Sequence, residues 1–151
     1  MSYPRAQGMH VYTMPSNTAT LGNESLTSTG VHGTYICHSR CIVKRIGFML
    51  NNAVAGDTTA PVVKFNRRTN IGGGTTTELG TITLPDGAAS NTTYYKDLTT
   101  AVSIEVGDEI MLEVSTAATD SGSAAGAGYY FFLCEDDPEV PGNEGKMVAA
   151  S

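Results

Sequence analysis

The chain has no tryptophan, only three cysteines, four lysines and eight leucines in 151 residues, and charged side chains make up just 16% of it. Each shortage removes a class of answer. So few charges exclude a coiled coil or a charged, disordered tail as the main feature. Leu, Glu and Lys favour helices, and their scarcity argues against a helical fold. No apolar run approaches the ~20 residues needed to span a bilayer, so no transmembrane helix and no membrane partner are expected. Met1 to Gln7 carry Arg5 but no apolar stretch, so a secretory leader is not expected. The formal net charge is −6, whereas nucleic-acid binders show a basic surplus, so a nucleic-acid partner is not expected either. The length suffices for one domain that buries roughly two-thirds of its unfolded surface, without a metal or disulfide staple.

What is present is polar, small and β-branched. There are 20 Thr, 17 Gly, 15 Ala and 11 Ser, and Thr, Val and Ile together reach 38. Such residues favour strands over helices. Residues 1–33 are polar and irregular, with one short strand-like run at Met9–Met14, and read as an N-terminal arm. From residue 34 to 134 strand-like runs recur: Thr34–His38, Cys41–Leu50, Ala60–Asn66, Thr76–Leu84, Thr92–Leu98, Ala101–Val106, Glu109–Ser115 and Tyr129–Cys134. Asn51–Asp57 and Thr116–Gly128 read as loops, and Pro85-Asp86-Gly87 as a turn in which Pro presets φ and Gly supplies φ > 0. About eight strands at regular spacing predict an all-β sandwich or barrel. Period-two alternation places Ile46, Phe48, Leu50, Val63, Phe65, Ile82, Ile104, Ile110, Leu112 and Val114 in its core. Tyr129–Cys134 is apolar on both faces, hence central, and Phe131 and Leu133 are assigned inward. Val102–Val114 reads as two alternating strands meeting at the tight turn Gly107-Asp108. Residues 135–151 form an acidic tail broken by prolines.

No arrangement for chemistry emerges. Cys37-His38-x-x-Cys41 is the one metal-like cluster, but structural zinc sites carry two ligand pairs, and His10, His32 and Cys134 stand apart. On an extended strand Cys37 and His38 also point to opposite faces. The three cysteines are expected to be small buried or half-exposed thiols, with a Cys37–Cys41 or Cys41–Cys134 disulfide as the alternative. A hydrolase would need a nucleophile beside a His and an acid, and no G-x-S-x-G elbow occurs. Gly72-Gly73-Gly74 lacks the Gly-Lys-Thr/Ser ending and following helix of a phosphate loop. Glu135-Asp136-Asp137 with Glu139 lacks the spacing of a calcium loop. The protein is expected not to be an enzyme, with no catalytic, metal-binding or cofactor-binding residues.

Charge is unevenly distributed. To Thr69 there are seven Lys/Arg and two acids; from Asn70 there are two Lys and thirteen acids. Either strands from the two halves interleave and neutralise within one molecule, or basic and acidic flanks meet between subunits, where complementary charge steers association and register. On the second reading the partner-binding candidates are the arm residues Tyr3, Met9, Tyr12 and Met14, the cations Arg40, Arg45, Arg67 and Arg68, and Asp136 and Asp137 of the tail.

The strand rhythm, the V-x-I-x-V-G-D-x-I-x-L-x-V segment from Val102 to Val114, the Thr/Gly/Ala-rich, Lys-poor composition and the short length together resemble the jelly-roll decoration (cement) proteins of tailed-bacteriophage heads. The resemblance covers roughly residues 34–134 and the extended termini. It implies an antiparallel jelly-roll β-sandwich with N- and C-terminal arms. It further implies a homotrimer on the capsid exterior of a virion, with the major capsid protein as partner. No binding motif is shared, so no functional residue is transferred. The alternative is a carbohydrate-binding or adhesion module on the same scaffold; such modules expose flat aromatic side chains to the sugar ring.

Overall fold

The computed structural model describes residues 9–13, 24–37, 40–54, 59–70, 73–118 and 125–136. Across them the chain forms strands and turns only: β1 (Met9–Thr13), β2 (Glu24–Ser25), β3 (Gly30–Ile36), β4 (Cys41–Val54), β5 (Val62–Arg68), β6 (Thr76–Thr83), β7 (Thr93–Ile104), β8 (Glu109–Thr116) and β9 (Ala125–Asp136). One sheet has the order β1-β9-β4-β7, with β2 also on β9; the other is β3-β8-β5-β6. Every pairing is antiparallel.

The order has a simple origin. Strands β2 to β5 form one leg of a long hairpin and β6 to β9 the other, so β2 pairs β9, β3 pairs β8, β4 pairs β7 and β5 pairs β6. Rolling that hairpin adds β4–β9 and β5–β8 and splits it into two sheets. This is the jelly roll, two sheets packed face to face around one core.

The core follows the alternation in the sequence. Ile46, Phe48 and Leu50 of β4, Val63 and Phe65 of β5, Ile82 of β6, Ile104 of β7, and Ile110, Leu112 and Val114 of β8 are all buried. Burying a side chain of this size is worth about 1.5–3 kcal/mol. Pro61 precedes β5 rather than interrupting it, and the Ala88 amide donates to the Pro85 carbonyl (3.1 Å), closing the turn in which Gly87 takes φ 76°.

Four expectations change. First, the sandwich begins at Glu24, not residue 34. Leu26 is fully buried, its amide donating to Gly126 and its carbonyl accepting from Ala118. β2 has two residues, and β3 carries Gly30, Gly33 and the exposed Val31 and Ile36, so neither shows alternation. Second, β4 runs on to Val54 and β9 begins at Ala125, taking residues from both assigned loops. Third, the runs at 92–98 and 101–106 are parts of one strand, β7. Opposite the single residue Lys44, between the pairs Val43–Val102 and Arg45–Asp97, it carries four residues, 98–101. β7 and β8 then lie in different sheets, so Gly107-Asp108 carries the chain across the sandwich. Alternation says which side of a strand faces the core, not which sheet the strand joins. Fourth, β9 is turned by one residue. Tyr130, Phe132 and Cys134 are fully buried, opposite Phe48, Ile46 and Val43, while Phe131 and Leu133 face outward and are half-buried. A strand apolar on both sides leaves its parity to its neighbours.

Candidate interaction surface

The rolled hairpin accounts for the charge split. Its first leg holds the basic half of the sequence and its second the acidic half, so pairing the legs pairs the charges. Arg40 meets Glu105 (3.2 Å), Lys44 Glu135 (3.3 Å), Arg45 Asp97 (2.6 Å), Lys64 Glu78 (3.5 Å) and Arg67 Asp108 (2.6 Å), and Arg68 meets Glu109. Among the described residues, every cation of the first half has a partner from the second. The four arginines named as partner-binding candidates are thus engaged within their own chain. Hydrogen bonding to Asp97 and to Glu109 raises the pKa of Arg45 and Arg68 respectively. Of the other candidates, Met9 and Tyr12 lie in β1 opposite Glu135 and Phe132, and Asp136 ends β9 opposite Cys41. Tyr3, Met14 and Asp137 lie outside the described residues.

The three cysteines gather at one end of the core as buried thiols outside any disulfide: Cys37 after β3, Cys41 at the start of β4, and Cys134 in β9. The Cys37 thiol is pushed far above its ordinary pKa by its hydrogen bond with Cys41, by burial, and by the charges of Cys41, Asp108 and Cys134. Such a thiol stays protonated near neutral pH and is a poor nucleophile. Beside it Asp108 accepts from Arg67 Nε (2.8 Å) and the Glu105 amide (2.9 Å), which fixes the crossover turn. Among the described residues no three His, Cys, Asp or Glu are grouped to hold a metal; His38 is not among them.

What the molecule presents to the outside differs between its sheets. On the outer side of the five-stranded sheet, Gly47 lies between Tyr95 of β7 and Phe131 of β9, and the next row is Thr93, Met49 and Tyr129. Tyr95 is 57% exposed and Met49 43%. Phe131 reaches across Gly47, where any Cβ would collide with its ring, so a glycine in mid-strand makes room for an aromatic. In the third row Leu133 stands beside Arg45, whose guanidinium lies 4.0 Å from the centroid of the Tyr95 ring. That guanidinium donates from Nε (2.6 Å) and Nη2 (3.1 Å) to both oxygens of Asp97, holding the Asp97 carboxyl below its ordinary pKa.

The result is an outward patch of two tyrosines, a phenylalanine, a methionine and a leucine, with an arginine already neutralised at its border. Aromatic residues, Met and Arg are the types enriched at protein interfaces, while free charge is depleted at their centres. Sequence reasoning missed this face because Phe131 and Leu133 were placed in the core. The available signal was Tyr129–Leu133 itself: a strand apolar on both sides, in a sheet packed on one.

No protein-family model and no curated protein matches the chain. Among solved structures it is similar to a chain of the infectious bursal disease virus Gx strain (TM-score 0.39, 11% identity, 89% of this chain and 35% of that one). It is also similar to a chain of the Gt strain (0.35, 12%, 89% and 34%) and to one from the T13 particle of that virus (0.40, 12%, 95% and 35%). The chain spans about a third of the length of these virus-particle chains, and none of the three is a tailed-phage decoration protein.

Proposed function

We propose that the chain is a structural virion protein that decorates and stabilises a phage capsid, binding the major capsid protein as a homotrimer on the capsid exterior. The outer face of the five-stranded sheet is the docking surface. The observation that carries this reading is that face: an outward apolar patch, with Tyr95 and Met49 exposed, whose neighbouring charges are closed within the chain. A jelly roll needs only its inner faces to fold, and a contiguous apolar outer patch marks an interaction site. The reading involves no catalytic step, metal or cofactor. The charge pairing within each molecule makes the docking chiefly apolar, so it should persist in salt that screens exposed charges over ~8–10 Å.

The test is co-sedimentation with empty capsids. Gly47→Ala, which displaces Phe131, and Met49→Ala should each weaken binding at least tenfold, with the circular-dichroism spectrum unchanged. Binding that survives both substitutions would place the docking surface elsewhere. Sedimentation equilibrium of the free chain reports the trimer, and a single-chain mass at all concentrations would remove it.

The exposure of Tyr95 favours a second reading, a carbohydrate-binding module with that ring as platform. A platform needs an open ring face, and Arg45 lies over one face of Tyr95. Titration with oligosaccharides separates the two: saturable broadening of the Tyr95 resonances would favour the sugar.

A further inference from the structure

β1 is surplus to the roll. The eight strands β2 to β9 complete both sheets and all four hairpin pairings. β1 is added beside them on the same edge of β9 that β2 uses, Met9–Thr13 lying opposite Glu135–Phe131 and Glu24–Ser25 opposite Gly128–Ala127. Between these two stretches β9 advances by three residues, from Phe131 to Gly128, while the donating side passes through ten, 14–23. Three strand steps cover about 10 Å. Ten residues can reach up to roughly 33–36 Å. The connection is therefore far longer than pairing within one chain requires.

From this we infer that β1 is an exchangeable strand: in the assembled protein residues 9–13 of one copy pair with the β9 edge of a second copy. The exchanged strand makes the same backbone hydrogen bonds as the resident one, so the swap costs no ladder. An open β9 edge is a template for an added strand of matching register. The edge at Phe131–Glu135 also carries Phe131 and Leu133 on its outer side, so a neighbour held by the strand sits beside the apolar patch. Pairing within one chain competes at high effective concentration, so exchange belongs to the assembled state. Donation from each copy to the next is head-to-tail, and a rotation of one third of a turn between copies closes it into the proposed trimer. The inference rests on the self-association in the reading above and names its contact.

The experiment separates exchange from home pairing. A tagged Val11→Cys chain and an untagged Leu133→Cys chain, whose positions are opposed in the β1–β9 register, are co-expressed, oxidised with a small disulfide such as oxidised glutathione, and purified by the tag. Two thiols and the oxidant give one protein disulfide and two reduced glutathiones. The expected result is a covalent heterodimer at least tenfold more abundant than with an off-register Lys64→Cys partner. Two results overturn the inference: no excess over that control, or a chain bearing both Val11→Cys and Leu133→Cys that closes only upon itself. The native thiols are buried, and a triple Cys→Ser background checks that they do not contribute. A heterodimer formed by a protein that sediments as a dimer would retain exchange and remove only the trimer.

Discussion

The two outer faces of the sandwich solve the same problem in opposite ways. The four-stranded sheet turns a polar lattice outward: Asn66 donates to Glu113 (2.9 Å), Lys64 meets Glu78, Arg68 meets Glu109, and the Ser115 hydroxyl donates to the Val62 carbonyl (3.2 Å). Its exposed apolar side chains, Val31 and Ile36, sit on the edge strand β3. The five-stranded sheet turns Met49, Tyr129, Phe131 and Leu133 outward on its inner strands β4 and β9, with Tyr95 beside them on β7. Folding needs neither face to be apolar. The polar face is finished within the molecule, whereas the apolar one is the surface assigned to docking in the proposed function.

The comparison breaks first on β9, where the largest effect is expected. Phe132 faces the core and Phe131 faces out, on consecutive residues. Phe132→Ala should cost about 3–5 kcal/mol through lost burial and a cavity. Phe131→Ala, on a half-buried side chain, should cost about 1 kcal/mol or less. Urea unfolding of both variants measures the difference, and equal costs would mean that the outer aromatic is part of the packing rather than of a docking surface.

The polar face should behave in reverse. Asn66 is 4% exposed, and its amide is held by Glu113. Asn66→Ala removes a donor from a carboxylate that still needs one, so unfolding should show a loss of about 1–3 kcal/mol. Capsid binding should stay the same. Tyr95→Ala should change stability by less than about 0.5 kcal/mol and reduce docking at least tenfold, about 1.4 kcal/mol in binding. A variant on the polar face that loses docking without losing stability would exchange the roles of the two sheets.

How far the sequence speaks can be judged from the same strands. β4, β5 and β8 alternate, and all their assigned core residues are buried. The strand order was legible only as a resemblance, because nothing in Val102–Val114 says that Gly107-Asp108 crosses between sheets. β2 and the first half of β3 were hidden by brevity and by glycine, while the run at Thr34–His38 caught the end of β3. The outer apolar face was hidden by an excess of signal: in Tyr129–Cys134 either parity gives an apolar side, and only the pairing with Ile46 and Phe48 chooses one. The charge split carried topological information. A basic first half and an acidic second half are what a hairpin rolled on itself needs, and the interleaving reading was the one that contained it.

The smallest expected effect concerns Arg45, the cation at the border of the apolar face. Asp97 accepts two hydrogen bonds from it, which stabilise the carboxylate and hold its pKa below the ordinary value. A depressed carboxyl contributes to stability in full above its unfolded pKa, about 3.9, and loses that contribution as pH falls through the lower folded value. Between pH 5 and 8 the pair is therefore constant, and neither stability nor docking should change on its account. The measurement is the carboxyl chemical shift of Asp97 against pH. Its midpoint should lie below that of a free aspartate, and Arg45→Lys, which replaces a two-pronged donor by a single ammonium, should move it upward. Because the pair is exposed, raising the salt should shrink the displacement without abolishing it. A midpoint at the ordinary value would mean that Arg45 is not held by Asp97 in solution. The guanidinium would then be available to a partner's carboxylate, and the docking face would be charged at its border rather than closed.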